Sequence, residues 1–325
     1  MLVSLILILA LSFYIAWSIG TNDETMATPV GCGALNINRA LILGGFLAVL
    51  GAFLMGKSVS ETIGEKLWEA TVSDLEIIII LIAMAIWLTI ASYRKLPVST
   101  THSIVGTIIG LAIITTGIET INMSTLIFIL TGWFLSPILG FVLAFVFHKF
   151  LVITIIRQFK GLREIERFEK ISSYLLVITV SLTAFSRGAN DVANAVGILS
   201  KLYGISFQYM LLWGGIGMAA GLLTLGRRVV RTVGMEITEM RPSTAFSAQL
   251  STMMVLFFGT YLGYPLSGTQ ILVAAIIGVG IVEGRKVKKE TVRDIIFSWV
   301  LTFPISAIFA ILLYTAISEV LIFFT

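Results

Sequence analysis

Long apolar runs, separated by short polar stretches, make up most of this chain. Residues 77–91 and 121–147 carry no charged side chain at all. Such runs match the roughly 20 apolar residues that a helix needs to cross a bilayer. The strong apolar–polar alternation of a membrane β-barrel is absent from the sequence. The pattern therefore predicts an all-α polytopic membrane protein.

The apolar pattern predicts ten membrane segments, five in each half of the chain, and some of them are expected to be re-entrant hairpins. The first segment lacks the basic region and the cleavage pattern of a signal peptide, so we expect it to stay in the membrane. The ten segments cover residues 2–34, 38–56, 75–92, 97–117, 122–158, 171–200, 205–226, 243–262, 264–282 and 295–322.

Composition supports a membrane protein and narrows the possible partners. The chain is 57% hydrophobic and only 12% charged, about half the charged share of a soluble domain. Its net charge of +4 comes from basic residues near segment ends, which suits anionic lipid and argues against nucleic acid. Cys32 is the one cysteine, so no internal disulfide can form.

Several polar motifs occur twice in the same order. Asp23 and Asp191 lie 168 residues apart, each in a Gly-x-Asn-Asp sequence, and Pro97 and Pro265 are 168 apart, each starting Pro-x-Ser-x-Thr. Chance similarity between apolar helices is the alternative, but a shared order of polar motifs favours an internal repeat.

The repeat predicts three parts of the chain. They are a first transmembrane repeat over 1–158, a cytoplasmic connector over 159–170, and a second transmembrane repeat over 171–325.

Charges in corresponding loops predict that the second repeat is inverted. The loop 57–76 is mainly acidic, whereas its counterpart 227–241 is mainly basic. With both termini extracellular, 17 of the 22 Lys and Arg residues fall on the cytoplasmic side, where basic residues accumulate. We therefore expect two inverted-topology repeats, with broken helices or re-entrant hairpins at mid-membrane, in a multi-pass protein of the plasma membrane.

The duplicated Asn-Asp motifs predict a cation site. An ionised Asp inside a membrane helix costs about 2.5–3.5 kcal/mol and usually has a function, although capping of a helix is the simpler alternative. Gly20 and Gly188 would allow a break in each helix, which would free backbone carbonyls. Oxygen ligands of this kind suit Na⁺, Mg²⁺ or Ca²⁺. The expected cation ligands, which would hold Na⁺ if that is the coupling ion, are Thr21, Asn22, Asp23, Asn190, Asp191 and Asn194.

The two Pro-x-Ser-x-Thr motifs predict an anion site. Each would begin a helix with a capping hydroxyl, unpaired N–H groups and a partial positive charge. Two capped helices without a ligand are the alternative. His102 could titrate, or could be a satisfied helix histidine, and its counterpart Gln270 cannot titrate. The expected anion-binding residues are Ser99, Thr100, Thr101, His102, Ser103, Ser267, Gly268, Thr269 and Gln270.

Other polar and small residues have simpler interpretations. Arg187 is expected to pair with an acidic group or to reach the membrane surface, with direct substrate contact as the alternative. Glu24 would be a further cation ligand or would face water. The glycines of 44–56 and 214–226 indicate close helix packing rather than a nucleotide loop.

Paired cation and anion sites in two inverted halves predict an ion-coupled anion carrier. A channel is the alternative, and saturable uptake driven by an ion gradient would distinguish the two. The sequence holds only two histidines, His102 and His148, and lacks a metal-type His cluster, so an enzyme is not expected.

The stretch "GANDVANAVG" (188–197) resembles the duplicated signature of the inorganic phosphate transporter (PiT) family. The first copy, "GTNDETMATP", departs from it, with Met26 in place of the second Asn, and Gln249 stands where members commonly have Glu. The resemblance implies symport of inorganic phosphate with Na⁺, or with H⁺ in some members, together with extracellular termini and a homodimer.

Because titratable groups are sparse at the predicted sites and oxygen ligands are plentiful, we expect Na⁺ to be the coupling ion, with no other cofactor. H⁺-coupled phosphate symport, and ion-coupled transport of another oxyanion such as sulfate, stay open.

Overall fold

The computed structural model describes residues 2–93, 99–202, 206–236, 240–284 and 289–324. The predicted helix start at Pro97 and several basic loop residues (Arg94, Lys95, Arg285, Lys286 and Lys288) lie outside these ranges. Within them the chain is helical and forms no β-strand; Trp68 and Ile121 pair in a single isolated bridge.

The described helices follow one another with short connections. The α-helices are α1 (Leu2–Thr21), α2 (Ala27–Gly31), α3 (Ile37–Met55), α4 (Lys57–Glu61), α5 (Asp74–Tyr93), α6 (Thr100–Thr115), α7 (Met123–Val146), α8 (Thr154–Ile156), α9 (Leu162–Val196), α10 (Phe207–Gly221), α11 (Arg227–Glu236), α12 (Pro242–Tyr261), α13 (Gly268–Val282) and α14 (Lys289–Phe324). Three π-helical turns extend α4, α7 and α10, over Thr62–Lys66, Phe147–Ile153 and Leu222–Gly226; short 3₁₀ turns cover Ile118–Thr120 and Gly197–Lys201.

Seven stretches of the described residues are long and apolar enough to cross a membrane. They are Leu2–Thr21, Ile37–Met55, Asp74–Ala91, Met123–Ile156, Leu162–Lys201, Phe207–Arg231 and Trp299–Glu319. The protein is thus a polytopic helical membrane protein, as predicted. The ten segments expected from sequence exceed this number, because α6, α12 and α13 do not meet the same length and hydropathy requirements.

The helices α6 and α13 are too short to cross a bilayer. They have 16 and 15 residues, which at 1.5 Å per residue gives about 24 and 22 Å, less than the roughly 30 Å of the hydrocarbon core. Their N-terminal turns also touch, since Thr101 Oγ1 donates to the carbonyl of Leu266 at 3.0 Å. Under the predicted topology these turns would start on opposite membrane faces. The short length of α6 and α13 and the contact between their first turns favour re-entrant segments over full crossings at 97–117 and 264–282.

Glycines bring the central helices into backbone contact. A Cβ atom at Gly51 of α3 would lie 1.8 Å from the carbonyl oxygen of Phe185 in α9, and one at Gly221 of α10 would lie 2.0 Å from that of Trp17 in α1. These contacts confirm the interpretation of the glycine-rich stretches as helix packing. The pair α3–α9 thus uses the same kind of crossing as the pair α10–α1.

The expected helix break at Gly188 is wrong. The helix α9 continues through this residue to Val196, and a Cβ atom at Gly188 would lie 2.2 Å from the carbonyl oxygen of Ala48. Gly188 therefore allows α9 to pack closely against α3. In the first copy the helix does end nearby, because α1 stops at Thr21, directly after Gly20.

Polar side chains lie inside this fold, and large apolar side chains lie on its outer surface. Asn190 and Gln249 are fully buried, whereas Phe134 and Phe150 are largely exposed. An apolar exterior suits lipid, and some of the buried polar groups, Asn190 among them, belong to the candidate site.

The predicted connector 159–170 is mostly helical. The helix α9 already begins at Leu162, so only the residues between Ile156 and Leu162 link α8 to it.

Candidate functional site

The end of α1 places two carboxylates at the centre of the bundle. Residues 22–26 leave the helix, and Asp23 Oδ1 accepts hydrogen bonds from the backbone N–H (2.9 Å) and the hydroxyl (2.5 Å) of Thr25. This local turn fixes the Asp23 side chain, which is only 3% exposed. Glu24 follows it and keeps more contact with solvent.

Arg187 of α9 connects these carboxylates with the second Asn-Asp motif. Its Nη1 lies 3.0 Å from Asp23 Oδ1 and 2.9 Å from Glu24 Oε1, and its Nε lies 3.0 Å from Asp191 Oδ2. Arg187 and Asp191 are one helical turn apart, so both project from the same face of α9. The structure thus joins the two copies of the motif through one guanidinium.

Asn190 holds the segment that leads into α13. Its Nδ2 donates to the hydroxyl of Thr260 at 3.0 Å and to the carbonyl of Tyr264 at 2.9 Å, and its Oδ1 accepts from the N–H of Leu266 at 3.2 Å. Both ends of the amide are therefore occupied by protein groups. In this conformation Asn190 therefore has a structural role, because it fixes the segment between α12 and α13.

Asn194 faces the N-terminal turn of α6. Its Nδ2 donates to the hydroxyls of Thr100 (3.1 Å) and Thr101 (3.2 Å). Its Oδ1 is buried and has no hydrogen-bond partner. A buried acceptor without a partner is costly, and a cation or a protonated oxygen of a ligand would satisfy it.

The N-terminal turns of α6 and α13 have the same architecture. Ser99 caps α6 by accepting from the N–H of His102 at 3.3 Å, and Ser267 caps α13 by accepting from the N–H of Gln270 at 3.5 Å. Both serines are buried. Each turn presents the unpaired N–H groups and the positive end of a helix dipole, the elements of an anion site.

The α13 turn also reaches the carboxylate cluster. The Thr269 hydroxyl donates to Glu24 Oε1 at 2.9 Å, and Arg187 Nη2 lies 3.5 Å from the same hydroxyl oxygen. The predicted anion and cation sites are therefore adjacent, and Arg187 touches both.

His102 and Gln270 meet at the contact between the two turns. His102 Nδ1 lies 3.0 Å from the carbonyl oxygen of Trp299 and therefore donates to it, and Nε2 lies 3.5 Å from Gln270 Nε2. The ring packs on Trp133 with 3.8 Å between the ring centroids. These contacts favour a satisfied helix histidine over a titrating group.

The other predicted residues have local partners. Thr21 Oγ1 and Asn22 Nδ2 both donate to the carbonyl of Ser18, which finishes the last turn of α1. Ser103 accepts from the hydroxyl of Ser306 at 3.1 Å. Gly268 approaches Arg187 so closely that a Cβ atom there would lie 2.9 Å from Nε.

Two of the six predicted Na⁺ ligands, Asp23 and Asp191, are paired with Arg187 in this conformation. Arg187 occupies the space between Asp23 and Asp191, and the described ranges hold no group of three or more His, Cys, Asp or Glu side chains arranged to bind a metal. Arg187 and Glu24 were not among the site residues expected from the sequence, which gave substrate contact by Arg187 and cation binding by Glu24 only as alternatives. The spacing of four residues between Arg187 and Asp191 could have predicted their ion pair, because residues four apart lie on the same face of a helix.

Gln249 of α12 is a further buried polar residue near the site. Its Nε2 donates to the Thr28 hydroxyl at 2.9 Å, and its Oε1 accepts from the Thr183 hydroxyl at 3.3 Å. The amide thereby links α2, α9 and α12.

Comparison with known proteins agrees with this arrangement. The profile of PHO4, described as the phosphate transporter family, matches residues 19–310. The chain belongs to this family. The match includes both Asn-Asp motifs and both capped turns, so the family and fold are those of a phosphate transporter and not of an enzyme.

Relatives of this member of the phosphate transporter family match nearly its whole length. A protein of Pyrococcus horikoshii, named among the phosphate permeases, is 33% identical and covers 94% of this chain and 96% of its own. The chloroplastic inorganic phosphate transporter 2-1 of Arabidopsis thaliana is 28% identical, over 97% of this chain and 72% of its own. A solved structure, "The sodium-dependent phosphate transporter", superposes with a TM-score of 0.86 at 29% identity, covering 98% of this chain and 99% of that one.

Proposed function

We propose that this phosphate transporter is a secondary active carrier that imports inorganic phosphate together with Na⁺ by alternating access. The observation that carries the proposal is the contact between two capped helix N-termini, one of which also reaches a carboxylate cluster inside an apolar bundle. The structural neighbour named "The sodium-dependent phosphate transporter" supports the choice of coupling ion.

The anion site comprises the first turns of α6 and α13. Backbone N–H groups and the hydroxyls of Ser99, Thr100, Ser267 and Thr269 supply donors without adding charge. Phosphate has several acceptor oxygens and suits such a donor-rich site. Na⁺ would bind beside it, at the carboxylates of Asp23 and Asp191 and at the unpaired Asn194 Oδ1.

Coupling follows from electrostatics. Without bound cations, the carboxylates of Asp23, Glu24 and Asp191 oppose the entry of phosphate into a medium of low dielectric constant. Bound Na⁺ offsets this charge and makes the anion site usable. Each ion therefore raises the affinity for the other, and such coupling is reciprocal.

Alternating access is supported by the paired packing of the helices. The helix α3 lies against α9 as α10 lies against α1, and α7 lies against α13 as α14 lies against α6. If α1, α3, α6 and α7 of the first half correspond in that order to α9, α10, α13 and α14 of the second half, each packed pair has an equivalent pair. Two structural repeats would produce this correspondence. Inverted repeats in a plasma-membrane homodimer with extracellular termini complete the proposal.

Substrate choice is tested by uptake into proteoliposomes under an inward Na⁺ gradient. Labelled phosphate should accumulate and saturate, and excess unlabelled sulfate should leave it nearly unchanged. Sulfate uptake equal to that of phosphate would favour a general oxyanion carrier, and uptake proportional to concentration without saturation would favour a channel.

A further inference from the structure

The Arg187 guanidinium occupies the position between carboxylates where a coupling cation was expected. It is 7% exposed, and it lies within 3.0 Å of oxygens of Asp23, Glu24 and Asp191. Arginine stays protonated in proteins, so its positive charge is permanent. The space between the two Asn-Asp motifs is thus already filled by a cation that belongs to the chain.

The charges of the cluster make this position important for coupling. Three carboxylates against one guanidinium leave two negative charges for mobile cations to balance. A neutral side chain at position 187 would leave three. Buried charges need partners of opposite sign, so the number of Na⁺ ions that the site requires depends on this residue.

Contacts with neighbouring residues hold the Arg187 guanidinium in one orientation. Its Nε and Nη1 point to carboxylates, and Thr25 Oγ1 accepts a further bond from Nη1 at 3.1 Å. Gly268 leaves room for the Arg187 side chain, because a Cβ atom there would lie 2.9 Å from Nε. Nη2 is directed towards Thr269 in the anion-binding turn, at 3.5 Å. The side chain therefore lies between the carboxylates and the predicted phosphate position.

We propose that Arg187 is a built-in cation that replaces one Na⁺ in the carboxylate cluster and so lowers by one the number of Na⁺ ions transported with each phosphate. The proposal rests on the proposed function of Na⁺-coupled phosphate import. A guanidinium fixed to α9 does not dissociate during the cycle. It compensates charge as an ion would, but it is not moved across the membrane.

The test counts Na⁺ in the native protein and in Arg187→Gln. The ratio of ²²Na⁺ to ³²P-phosphate moved is measured in proteoliposomes, and equilibrium ²²Na⁺ binding is measured on the purified protein. Arg187→Gln should bind and move about one more Na⁺ per phosphate, with a steeper dependence of uptake on Na⁺ concentration. An unchanged or smaller ratio overturns the proposal.

Two variants serve as matched controls. Arg187→Lys keeps a positive charge at the same position and should keep the native Na⁺ count. Lys149→Gln removes a basic residue that contacts the rings of Phe145 and Phe150 and should also leave the count unchanged. A rise in the Lys149→Gln count equal to that of Arg187→Gln would contradict a specific role for Arg187.

The remaining outcomes are also decisive. Arg187→Gln should be recovered folded in high Na⁺, because Na⁺ is expected to fill the vacated position; failure to fold even in molar Na⁺ contradicts the proposal. If phosphate uptake by the native protein does not depend on Na⁺, the proposed function is refuted. This outcome is measured on the native protein and does not require the Arg187→Gln variant. A Na⁺-driven native protein with an unchanged ratio in Arg187→Gln refutes only the role of Arg187.

Discussion

Ser99 and Ser267 cap the two helices whose first turns form the candidate anion site. Each hydroxyl oxygen accepts a backbone N–H three residues later, which leaves the hydroxyl proton free to donate to a ligand. The Pro-x-Ser-x-Thr sequence predicted a helix with a capping hydroxyl in each half, because capping depends on neighbouring residues, but the helix of the second half begins at Gly268, after the serine, and not at Pro265. The partners of Arg187 were not predictable in this way, because Glu24 lies 163 positions away in the chain.

Replacement of Ser267 by alanine tests the anion site at this scale. Ser267→Ala removes the cap and one donor to phosphate, so we expect a loss of about 1 kcal/mol of binding and a KM for phosphate raised roughly fivefold. The measurement is initial uptake against phosphate concentration at fixed Na⁺.

Asn36→Ala is the matched control. Asn36 caps α3 by accepting from the N–H of Asn38 at 2.9 Å, and Asn36→Ala should cost similar stability without changing KM. An unchanged KM in Ser267→Ala would remove this residue from the site.

At the scale of helices, close crossings determine where the polar residues lie. The contact of Gly51 with the Phe185 carbonyl sets the distance between α3 and α9 just before Arg187. Glycine-rich helices were recognisable from sequence, but the partner of each glycine was not. For this reason a helix break was expected at Gly188, whereas α9 is continuous and Gly188 packs on Ala48.

Gly51→Ala tests this crossing. The added methyl group would overlap backbone, so the helices must move apart, at a cost of about 1–3 kcal/mol typical of overpacking. We expect a lower melting temperature of the purified protein and reduced phosphate uptake.

Gly161→Ala provides the comparison for Gly51→Ala. A Cβ atom at Gly161 would meet nothing within 4 Å, so both properties should stay near the native values. Equal stability of the two variants would contradict the proposed importance of the crossing.

For the whole molecule, the sequence predicted a helical membrane protein of the phosphate transporter family, and the structure and comparisons confirm both. The sequence predicted ten segments, whereas seven stretches of the described residues are long and apolar enough to cross a membrane, because apolar character alone does not distinguish the short α6 and α13 from spanning helices. The side on which each loop lies stays a prediction from charge, and it can be measured.

Cysteine labelling in whole cells tests the predicted orientation. In a Cys32→Ser background, Lys57→Cys should react with an impermeant maleimide from outside, because this side chain is 70% exposed and its loop is predicted to be extracellular. Arg163→Cys, in the predicted cytoplasmic connector, should react only after permeabilisation. The opposite pattern would invert the topology.

The central claim is that Na⁺, and not H⁺, drives phosphate import, and one measurement addresses it directly. Phosphate uptake is followed in proteoliposomes with an inward Na⁺ gradient at equal pH on both sides, beside vesicles with a pH gradient and no Na⁺. The account predicts uptake that follows Na⁺, and Asp191→Asn should weaken both transport and Na⁺ dependence. Uptake that ignores Na⁺ and follows the pH gradient would contradict it.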